Sequence, residues 1–221
     1  MAENRLILKT IVSEMFAENA YVAHLSERDD CVIVDPSFDY ESVVEYVEAE
    51  ARHPAAILNT HGHVDHIAGN AALKKRWPEC PLVIGAGDAS MLTNPMENLS
   101  GQYAFPIISP EADQLLKEGD CYECAGFNFQ VRETPGHSPG HIVFIWDLAQ
   151  PTLVFGGDVL FHRGIGRTDF PGCSFEQLRN SIHNRLFTLP DDAIVLPGHG
   201  NPTTIGEEKQ DNPFVGLHLS T

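Results

Sequence analysis

The stretch Thr60-His61-Gly62-His63-Val64-Asp65-His66 places three histidines and one aspartate within six consecutive residues. Structural roles seldom require so many imidazole and carboxylate groups together, whereas Zn²⁺, Fe and Mn all accept these ligands. A rigid segment cannot aim four side chains at one ion, so the spacing indicates two adjacent metal positions. Gly62 permits the tight backbone curvature that lets His61 and His63 project from alternate sides. The stretch therefore predicts a metal centre.

Three further candidate ligands follow, each next to glycine: His137 in Thr-Pro-Gly-His, Asp158 in Gly-Gly-Asp and His199 in Pro-Gly-His-Gly. A carboxylate can bridge two cations with its two oxygens, so Asp158 is the natural bridge for ions about 3.5–4 Å apart. Each candidate comes just after a strand-like apolar run, and loops at one end of a sheet are where α/β proteins build sites. These residues complete a hydrolytic site predicted to hold two metal ions.

The other histidines lack this setting. His141 opens an apolar strand pattern four residues after His137, so we interpret it as structural. His162 is close to Asp158 in the sequence, and we expect it not to bind metal. The remaining ones fall in a strand, before a proline and within a helical pattern, which are ordinary core or surface positions: His24, His53 and His183.

Length and charge restrict the possible partners. The 221 residues are enough for one domain, spanning residues 1–221, with a sizeable core. A net charge of −17, from 14 basic and 31 acidic residues, argues against nucleic acid and anionic membranes as main partners. No window approaches the roughly 18 apolar residues of a membrane helix, and the first residues do not resemble a secretory signal. We therefore expect a cytoplasmic protein, and its oligomeric state stays open.

The five cysteines are odd in number and have no framework spacing, which favours reduced thiols. Cys121 and Cys124 form a C-x-x-C, but no second pair accompanies them. We interpret both as flanking a turn or strand end before the run Phe127–Val131.

Strand-length apolar runs recur along the chain, with helical patterns among them. The runs are Leu6–Val12, Ala20–Leu25, Cys31–Val34, Ala56–Leu58, Leu82–Ile84, Phe127–Val131, Ile142–Trp146, Leu153–Phe155 and Ile194–Leu196. Helices are predicted over Asp39–Arg52, from Asp65 to about Trp77, from Ser174 with Gln177 as a capping box, and from Ile205 to near Pro213. This pattern predicts two sheets with helices outside them, a four-layer α/β arrangement.

The ordered set of candidate ligands resembles the signature of the metallo-β-lactamase superfamily. Val34-Asp35-Pro36 and the loop Pro135–His141 are also similar to features of that family, so the resemblance covers nearly the whole chain. It implies an αββα sandwich. It assigns one metal ion to His61, His63 and His137 and the other to Asp65, His66 and His199, with Asp158 as the bridge.

Within the superfamily the chain resembles compact members of the glyoxalase II-like, or hydroxyacylglutathione hydrolase-like, branch. Asp158 stands where many β-lactamases of this fold have cysteine, so antibiotic hydrolysis is not expected. Full-length glyoxalase II has a C-terminal helical domain that helps to bind glutathione, whereas about twenty residues follow His199 here, so we expect that domain to be missing. Where that family has a glutathione-contacting tyrosine, this chain has Asn201, while Arg167 matches a basic residue of the glutathione site.

The resemblance implies hydrolysis of a thioester or related ester, with two divalent metal ions as cofactors. Zn is the first choice, and Fe or Mn also fit. A hydroxide bridging the ions would attack the carbonyl, a metal would stabilise the oxyanion, and a thiolate would leave without a dedicated general acid. Asp65 is the expected catalytic residue because it can orient the attacking water. Arg167 and Asp169 are placed at the substrate mouth or around the ligands, with a loop-fixing ion pair as the equal alternative.

Two other functions remain open. Gly166-Arg167-Thr168-Asp169-Phe170 is similar to a stretch in persulfide dioxygenases, mononuclear non-haem iron enzymes of this fold. Their facial triad of two histidines and a carboxylate would here be His61, His137 and Asp158. A third reading is a non-catalytic, metal-stabilised binding module, although such sites are usually closed and rich in cysteine. We favour the hydrolase.

Overall fold

Two six-stranded sheets form the centre of the computed structural model, which describes residues 5–103, 105–148 and 150–219. The first sheet contains, in spatial as in chain order, β1 (Leu6–Val12), β2 (Asn19–Leu25), β3 (Asp30–Val34), β4 (His53–Leu58), β5 (Leu82–Gly85) and β6 (Gln114–Leu116). The chain continues through β7 (Cys121–Cys124), β8 (Phe127–Glu133), β9 (Ile142–Trp146), β10 (Leu153–Gly157), β11 (Leu160–Phe161), β12 (Gly164–Ile165), β13 (Ile194–Pro197) and β14 (Thr203–Thr204). The second sheet has the order β14-β13-β10-β9-β8-β7, and β11 pairs with β12 as a small hairpin.

Strand direction places several loops at the same edge of the molecule. Strands β3 to β6 run parallel to one another, and β10 runs parallel to β13 in the second sheet. Because parallel strands end at the same edge, the residues that follow β3 and β4, or β10 and β13, come close together. This edge carries the candidate site.

The helices are short and lie outside the sheets. They are α1 (Tyr40–Ala49), α2 (Val64–Ile67), α3 (Asn70–Arg76), α4 (Phe175–Ser181), which continues as the π-helical segment Ile182–Leu186, and α5 (Ile205–Asp211). Three 3₁₀ segments, Ala86–Leu92, Ser100–Gln102 and Leu217–Leu219, complete the described helices. Over the described ranges, none of the helices is long and apolar enough to cross a bilayer.

Three apolar clusters produce the four layers. Between the sheets, Leu58 packs in one cluster with Phe129 and Phe144. Outside the first sheet, its outward residues, such as Ile57, join Val43 of α1 and Leu73 of α3. Outside the second sheet, the third cluster joins outward residues of its strands to residues of the helices that cover it: Val143, Ile145, Val154, Val195, Leu178, Ile182 and Ile205. Strand alternation sends neighbours such as Ile57 and Leu58 to opposite faces, so both faces are buried and the predicted αββα sandwich is confirmed.

The predicted helix from Asp65 to Trp77 is wrong as one element, because it is divided into α2 and α3. The Gly69 N–H donates to the carbonyl of Pro36 at 2.7 Å instead of continuing the helical ladder. A Cβ at Gly69 would lie 2.8 Å from that same oxygen, so the contact also requires glycine. A partner outside the helix therefore causes the break.

The capping box predicted at Ser174 is only half present. The Ser174 Oγ accepts the Gln177 N–H at 3.3 Å, but the Ser174 N–H donates to the Gly136 carbonyl. A reciprocal box instead begins α5, where Thr204 and Glu207 satisfy each other's N–H groups.

The interpretation of Cys121 and Cys124 agrees with the structure. They are the first and last residues of strand β7, and Cys124 directly precedes the turn at residues 125–126 that leads into β8. Strand β7 itself was not predicted, because half of this edge strand faces solvent and gives no apolar run.

Candidate metal centre

The structure brings all seven candidate ligands to the sheet edge described above. His61 and His63 follow β4, Asp65 and His66 lie on α2, His137 follows β8, Asp158 follows β10, and His199 follows β13. Among these seven residues, three groups have ligand atoms within 4.8 Å of one another: His61, His63 and His137; His61, His66 and Asp158; and Asp65, His66 and His199. The first and last of these groups are the two triads that the family resemblance implies.

In the first triad, three imidazole nitrogens face one another. The Nδ1 of His63 lies 3.1 Å from His61 Nε2 and 2.9 Å from His137 Nε2. Burial, together with the neighbouring histidines, holds the pKa of His61 well below its ordinary value and lowers the pKa of His63 to about 3. Both rings are therefore neutral at pH 7, the form in which histidine binds a metal.

The second triad alternates cationic and anionic groups. The Nε2 of His199 lies 3.2 Å from Asp65 Oδ2, and His66 Nε2 lies 3.9 Å from the same oxygen. Burial opposes the charged form of His66, but Asp158, Asp65 and other carboxylates outweigh it and raise its pKa well above the ordinary value. The carboxylates thus supply the negative charge that a divalent cation would require.

Asp158 faces both triads with its two oxygens. Its Oδ1 lies 3.4 Å from His66 Nε2, while its Oδ2 lies 3.4 Å from His137 Nε2 and 3.5 Å from His199 Nε2. The Oδ1 of Asp158 and the Nε2 of His66 are buried without a hydrogen-bond partner. Such atoms are costly unless something else satisfies them, and a cation between them would do so. The donor set fits two metal ions with Asp158 between them.

The outward-facing nitrogens of three candidate ligands meet protein groups. The Nδ1 of His61 lies 3.1 Å from Thr60 Oγ1, and the Nδ1 of His137 lies 2.8 Å from the Arg167 carbonyl. The Nδ1 of His66 lies 3.0 Å from Asp35 Oδ2. Contacts of this kind fix a ring's tautomer and orientation, so the inward-facing nitrogens are held in place.

Asp35 supports two parts of the site, although its sequence context, Val34-Asp35-Pro36, predicted no specific contact for it. Its Oδ1 accepts the Thr60 N–H at 2.8 Å, and its Oδ2 accepts the Thr60 hydroxyl at 2.7 Å. The residue has a positive φ of 49°, which aspartate tolerates better than most residues. Its position immediately after the buried strand β3, the same setting as the candidate ligands, was the available signal.

Asp88 joins the two loops that carry His61, His63 and His137. Its Oδ2 accepts the Gly62 N–H at 3.1 Å and the Ser138 hydroxyl at 2.6 Å. Its Oδ1 accepts the Gly140 N–H at 2.6 Å. Nothing in the local sequence around Asp88 indicated this role.

His141 lies behind the site. Its Nδ1 is 3.0 Å from Thr134 Oγ1, and its Nε2 accepts the Asp158 N–H at 3.1 Å. Both ring nitrogens therefore have protein partners, as a structural histidine requires.

A cavity of about 360 Å³ opens onto the candidate ligands. Arg167 lines it and pairs with the exposed Asp169, so the ion pair of one alternative lies at the cavity mouth expected by the other. Asn201 is exposed and is absent from the cavity lining. Other lining residues had no predicted role: Phe16, Leu99, Gln102, Tyr103, Phe161 and Ile165. No motif marks them, because they come from the β1–β2 loop, the segment 99–103 and the β11–β12 hairpin. Phe170, which also lines the cavity, belongs to the stretch 166–170 quoted above.

Comparisons with known proteins agree with this geometry. The family description "Metallo-beta-lactamase superfamily" matches residues 15–199. The hydroxyacylglutathione hydrolase GloC of Haemophilus influenzae is 37% identical over 86% of this chain and 89% of its own length. The probable metallo-hydrolase YqgX of Bacillus subtilis is 35% identical over 89% of this chain and 92% of its own.

Solved structures of the same fold include proteins with different names. BLEG-1, described as a B3 metallo-beta-lactamase, is 36% identical with a TM-score of 0.89, over 95% of this chain and 99% of its own. TTHA1623 in a di-iron-bound form is 33% identical with a TM-score of 0.79, over 93% of this chain and 99% of its own. ETHE1 from Myxococcus xanthus is 27% identical with a TM-score of 0.76, over 95% of this chain and 84% of its own. The chain belongs to the metallo-β-lactamase superfamily.

Proposed function

We propose that this protein is a metal-dependent hydrolase that cleaves a thioester, or a related ester, of a small molecule. The named relatives support hydrolysis, since they include a hydroxyacylglutathione hydrolase and a probable metallo-hydrolase. The observation that carries the proposal is the open cavity, which is lined by His63, Asp65, His137, Asp158 and His199. A substrate can therefore reach the predicted metal positions directly.

The residues that would hold two divalent ions are the two triads, with Asp158 shared between them. Zn is the first choice, and the di-iron form of TTHA1623 supports Fe as the alternative. When bound, two such ions lower the pKa of a water between them and polarise a substrate carbonyl.

Asp65 is the proposed catalytic residue of the chain itself. It lines the cavity, and its Oδ2 lies 3.2 Å from His199 Nε2. Burial opposes its ionisation, but His66 and His199 outweigh burial and lower its pKa, so it is an ionised carboxylate that can accept a hydrogen bond from water and orient it. A thiol leaving group has a pKa of about 8.5 and departs as thiolate, so the reaction needs no separate general acid.

A persulfide dioxygenase is the second candidate. Its supporting observations are the ETHE1 neighbour and the position of the segment 166–170 against the site. The Phe170 ring lies 5.3 Å from His63 and 6.0 Å from His137, measured between ring centroids. In this alternative, His61, His137 and Asp158 would hold one iron. The higher identity to GloC makes the hydrolase our preference.

A non-catalytic binding module fits the site less well. Structural zinc sites are usually closed and contain cysteine. Here the seven candidate ligands include no cysteine, and five of them line the cavity.

The decisive experiment measures metal content by mass spectrometry and activity on the same chelator-free preparation. S-lactoylglutathione, glutathione persulfide with oxygen uptake, and a chromogenic β-lactam are the substrates, the last because of the BLEG-1 neighbour. About two ions per chain with thioester cleavage and no oxygen uptake supports the proposal. One iron per chain with persulfide-dependent oxygen uptake, or cleavage of the β-lactam alone, refutes it.

A matched pair of variants ties the activity to the site. His199→Ala removes a proposed ligand and should lower both the bound metal and the rate. His53→Ala removes an exposed histidine at the start of β4 and should change neither.

A further inference from the structure

The cavity at the candidate metal centre has aromatic walls. The ring of Phe161 lies 6.1 Å from that of His199, and the ring of Phe170 lies 5.3 Å from that of His63. Phe16 and Tyr103 also line the cavity, with their rings 5.8 Å apart in an edge-to-face contact. A group entering the site therefore meets aromatic surface on its way to the predicted ions.

The aromatic surface continues outward from the cavity. Phe16 stacks on Phe38 at 5.4 Å, and Tyr103 stacks on Phe105 at 6.0 Å. Tyr103 and Phe105 remain 43% and 44% exposed. Contiguous exposed apolar surface next to a cavity is typical of a place where an apolar group binds.

One wall segment is held in an unfavourable backbone conformation. Leu99, which lines the cavity, has a φ of 69°, in the left-handed region that leucine rarely adopts. The neighbouring Asn98 fixes this turn, because its Nδ2 donates to the carbonyls of Met91 and Ile107 at 2.9 and 3.0 Å. Its Oδ1 accepts the Ser100 N–H at 3.0 Å. The wall is therefore preformed, as a substrate-selecting surface needs to be.

The cavity offers little to a negatively charged group beyond the proposed ions. Arg167 is the one lysine or arginine among its lining residues. The guanidinium of Arg167 donates to both oxygens of Asp169 at 2.9 and 2.8 Å, and it lies 4.4 Å from the centroid of the Phe170 ring. Asp169 balances the charge of Arg167 in this exposed pair, so apart from the proposed ions the mouth has no excess positive charge to attract an anionic substituent.

We infer that the natural substrate carries an uncharged, flat apolar group, such as an aryl group, next to the scissile bond, and that Phe16, Tyr103 and Phe170 bind it. This inference rests on the proposed thioester or ester hydrolysis. It goes beyond that proposal because neither the candidate ligands nor the relatives' names specify such a group.

The test compares kcat/KM for thioesters that differ in one group. S-phenylacetyl- and S-lactoyl-N-acetylcysteamine share a thiol and differ in the acyl group, while S-benzyl thioacetate and S-acetyl-N-acetylcysteamine share the acyl group and differ in the thiol. We expect the ring-containing member of one pair to exceed its partner about ten-fold or more, a difference that a hydrophobic pocket can supply. The pair that shows this difference identifies the side on which the apolar group lies. An equal or lower kcat/KM for the ring-containing member of both pairs overturns the inference.

Variants then connect the preference to the aromatic residues. Phe16→Ala and Tyr103→Ala should lower kcat/KM for the preferred aryl substrate about ten-fold more than for the lactoyl thioester. Phe214→Ala removes another half-exposed ring, outside the cavity lining, and is the matched control. Equal losses on both substrates would contradict a role in selection.

A binding measurement separates the failure of this inference from failure of the proposed function. If the metal-loaded protein hydrolyses none of the thioesters, the hydrolase proposal fails, and calorimetry with phenylacetate and lactate still tests the aromatic site. Tighter binding of phenylacetate, weakened by Phe16→Ala, supports the inference. Equal binding of the two acids overturns it.

Discussion

Asp35 lies directly behind His66: its Oδ2 is 3.0 Å from the His66 Nδ1, on the side of the ring opposite the candidate metal position. The same carboxylate accepts both the N–H and the hydroxyl of Thr60, and the Thr60 hydroxyl lies 3.1 Å from the Nδ1 of His61. One buried carboxylate thus orients a ring in each half of the proposed site.

Asp35→Asn should weaken metal binding about 10–100-fold, because the amide cannot supply the two anionic oxygens that orient His66 and Thr60. Asparagine tolerates the positive φ at this position, so the backbone should be kept. Competition with a chromophoric chelator measures the affinity. Asp192→Asn changes an exposed carboxylate and should leave the metal affinity unaltered. An unchanged metal affinity in Asp35→Asn would show that the contact between Asp35 and His66 has no orienting role.

Asp88→Ala should destabilise the protein by about 3 kcal/mol, because it leaves the Gly62 and Gly140 N–H groups and the Ser138 hydroxyl without their buried acceptor. Urea unfolding of the chelator-treated protein gives the free energy without a contribution from metal. Asp192→Ala is the surface control, with an expected change within about 0.5 kcal/mol. An equally small loss of unfolding free energy in Asp88→Ala would mean that the two loops keep their conformation without the Asp88 carboxylate.

Gly198→Ala should displace part of the candidate centre while the fold persists. A Cβ at Gly198 would lie 2.3 Å from Asp158 Oδ1 and 2.6 Å from His66 Cε1, so both side chains must move. We expect fewer bound ions per chain by mass spectrometry and an unchanged far-ultraviolet circular dichroism spectrum. Gly164→Ala is the control, since its nearest non-neighbour atom would lie 3.4 Å away. Full metal loading of Gly198→Ala would argue against ligation by Asp158 and His66.

The buried thiols should resist alkylation at pH 8. Burial raises the pKa of Cys31 and of Cys80 to about 12, so only a minute fraction of either is thiolate at that pH, and the fraction grows as the pH rises. Cys121 is exposed. Iodoacetamide followed by peptide mass mapping should modify Cys121 in the folded protein, and Cys31 and Cys80 only after guanidinium unfolding. Rapid modification of Cys31 under native conditions would contradict the packing around β3.

The local patterns in the sequence predicted the fold's layers, but not features that depend on distant partners. Alternating or continuous apolar runs identify strands such as β2 and β9 because burial on one or both faces is encoded within the strand itself. The break at Gly69 is different, because it is imposed by the Pro36 carbonyl from another loop. The short strand β14 exists through its pairing with β13, and two residues cannot form a pattern.

The same distinction applies to the candidate site. The glycine-flanked histidines and aspartates after strands could be predicted from the sequence, because ligand chemistry restricts the residue type. The contact between Phe16 and Tyr103 could not be predicted, because it joins two separate loops where any apolar residue would fit the local sequence. Asp88 was missed for a related reason: its three donors belong to two other loops.

The distribution of the candidate ligands over both sheets has a consequence for how the protein is made. The residues from His61 to His66 follow a strand of the first sheet, whereas His137, Asp158 and His199 follow strands of the second. During synthesis, the first sheet leaves the ribosome well before β13 and His199 emerge. The first proposed triad is complete once His137 has been made, but the second cannot form before His199 has been made. Ions held by both triads through Asp158 would therefore join early and late segments of the chain and hold the two sheets together.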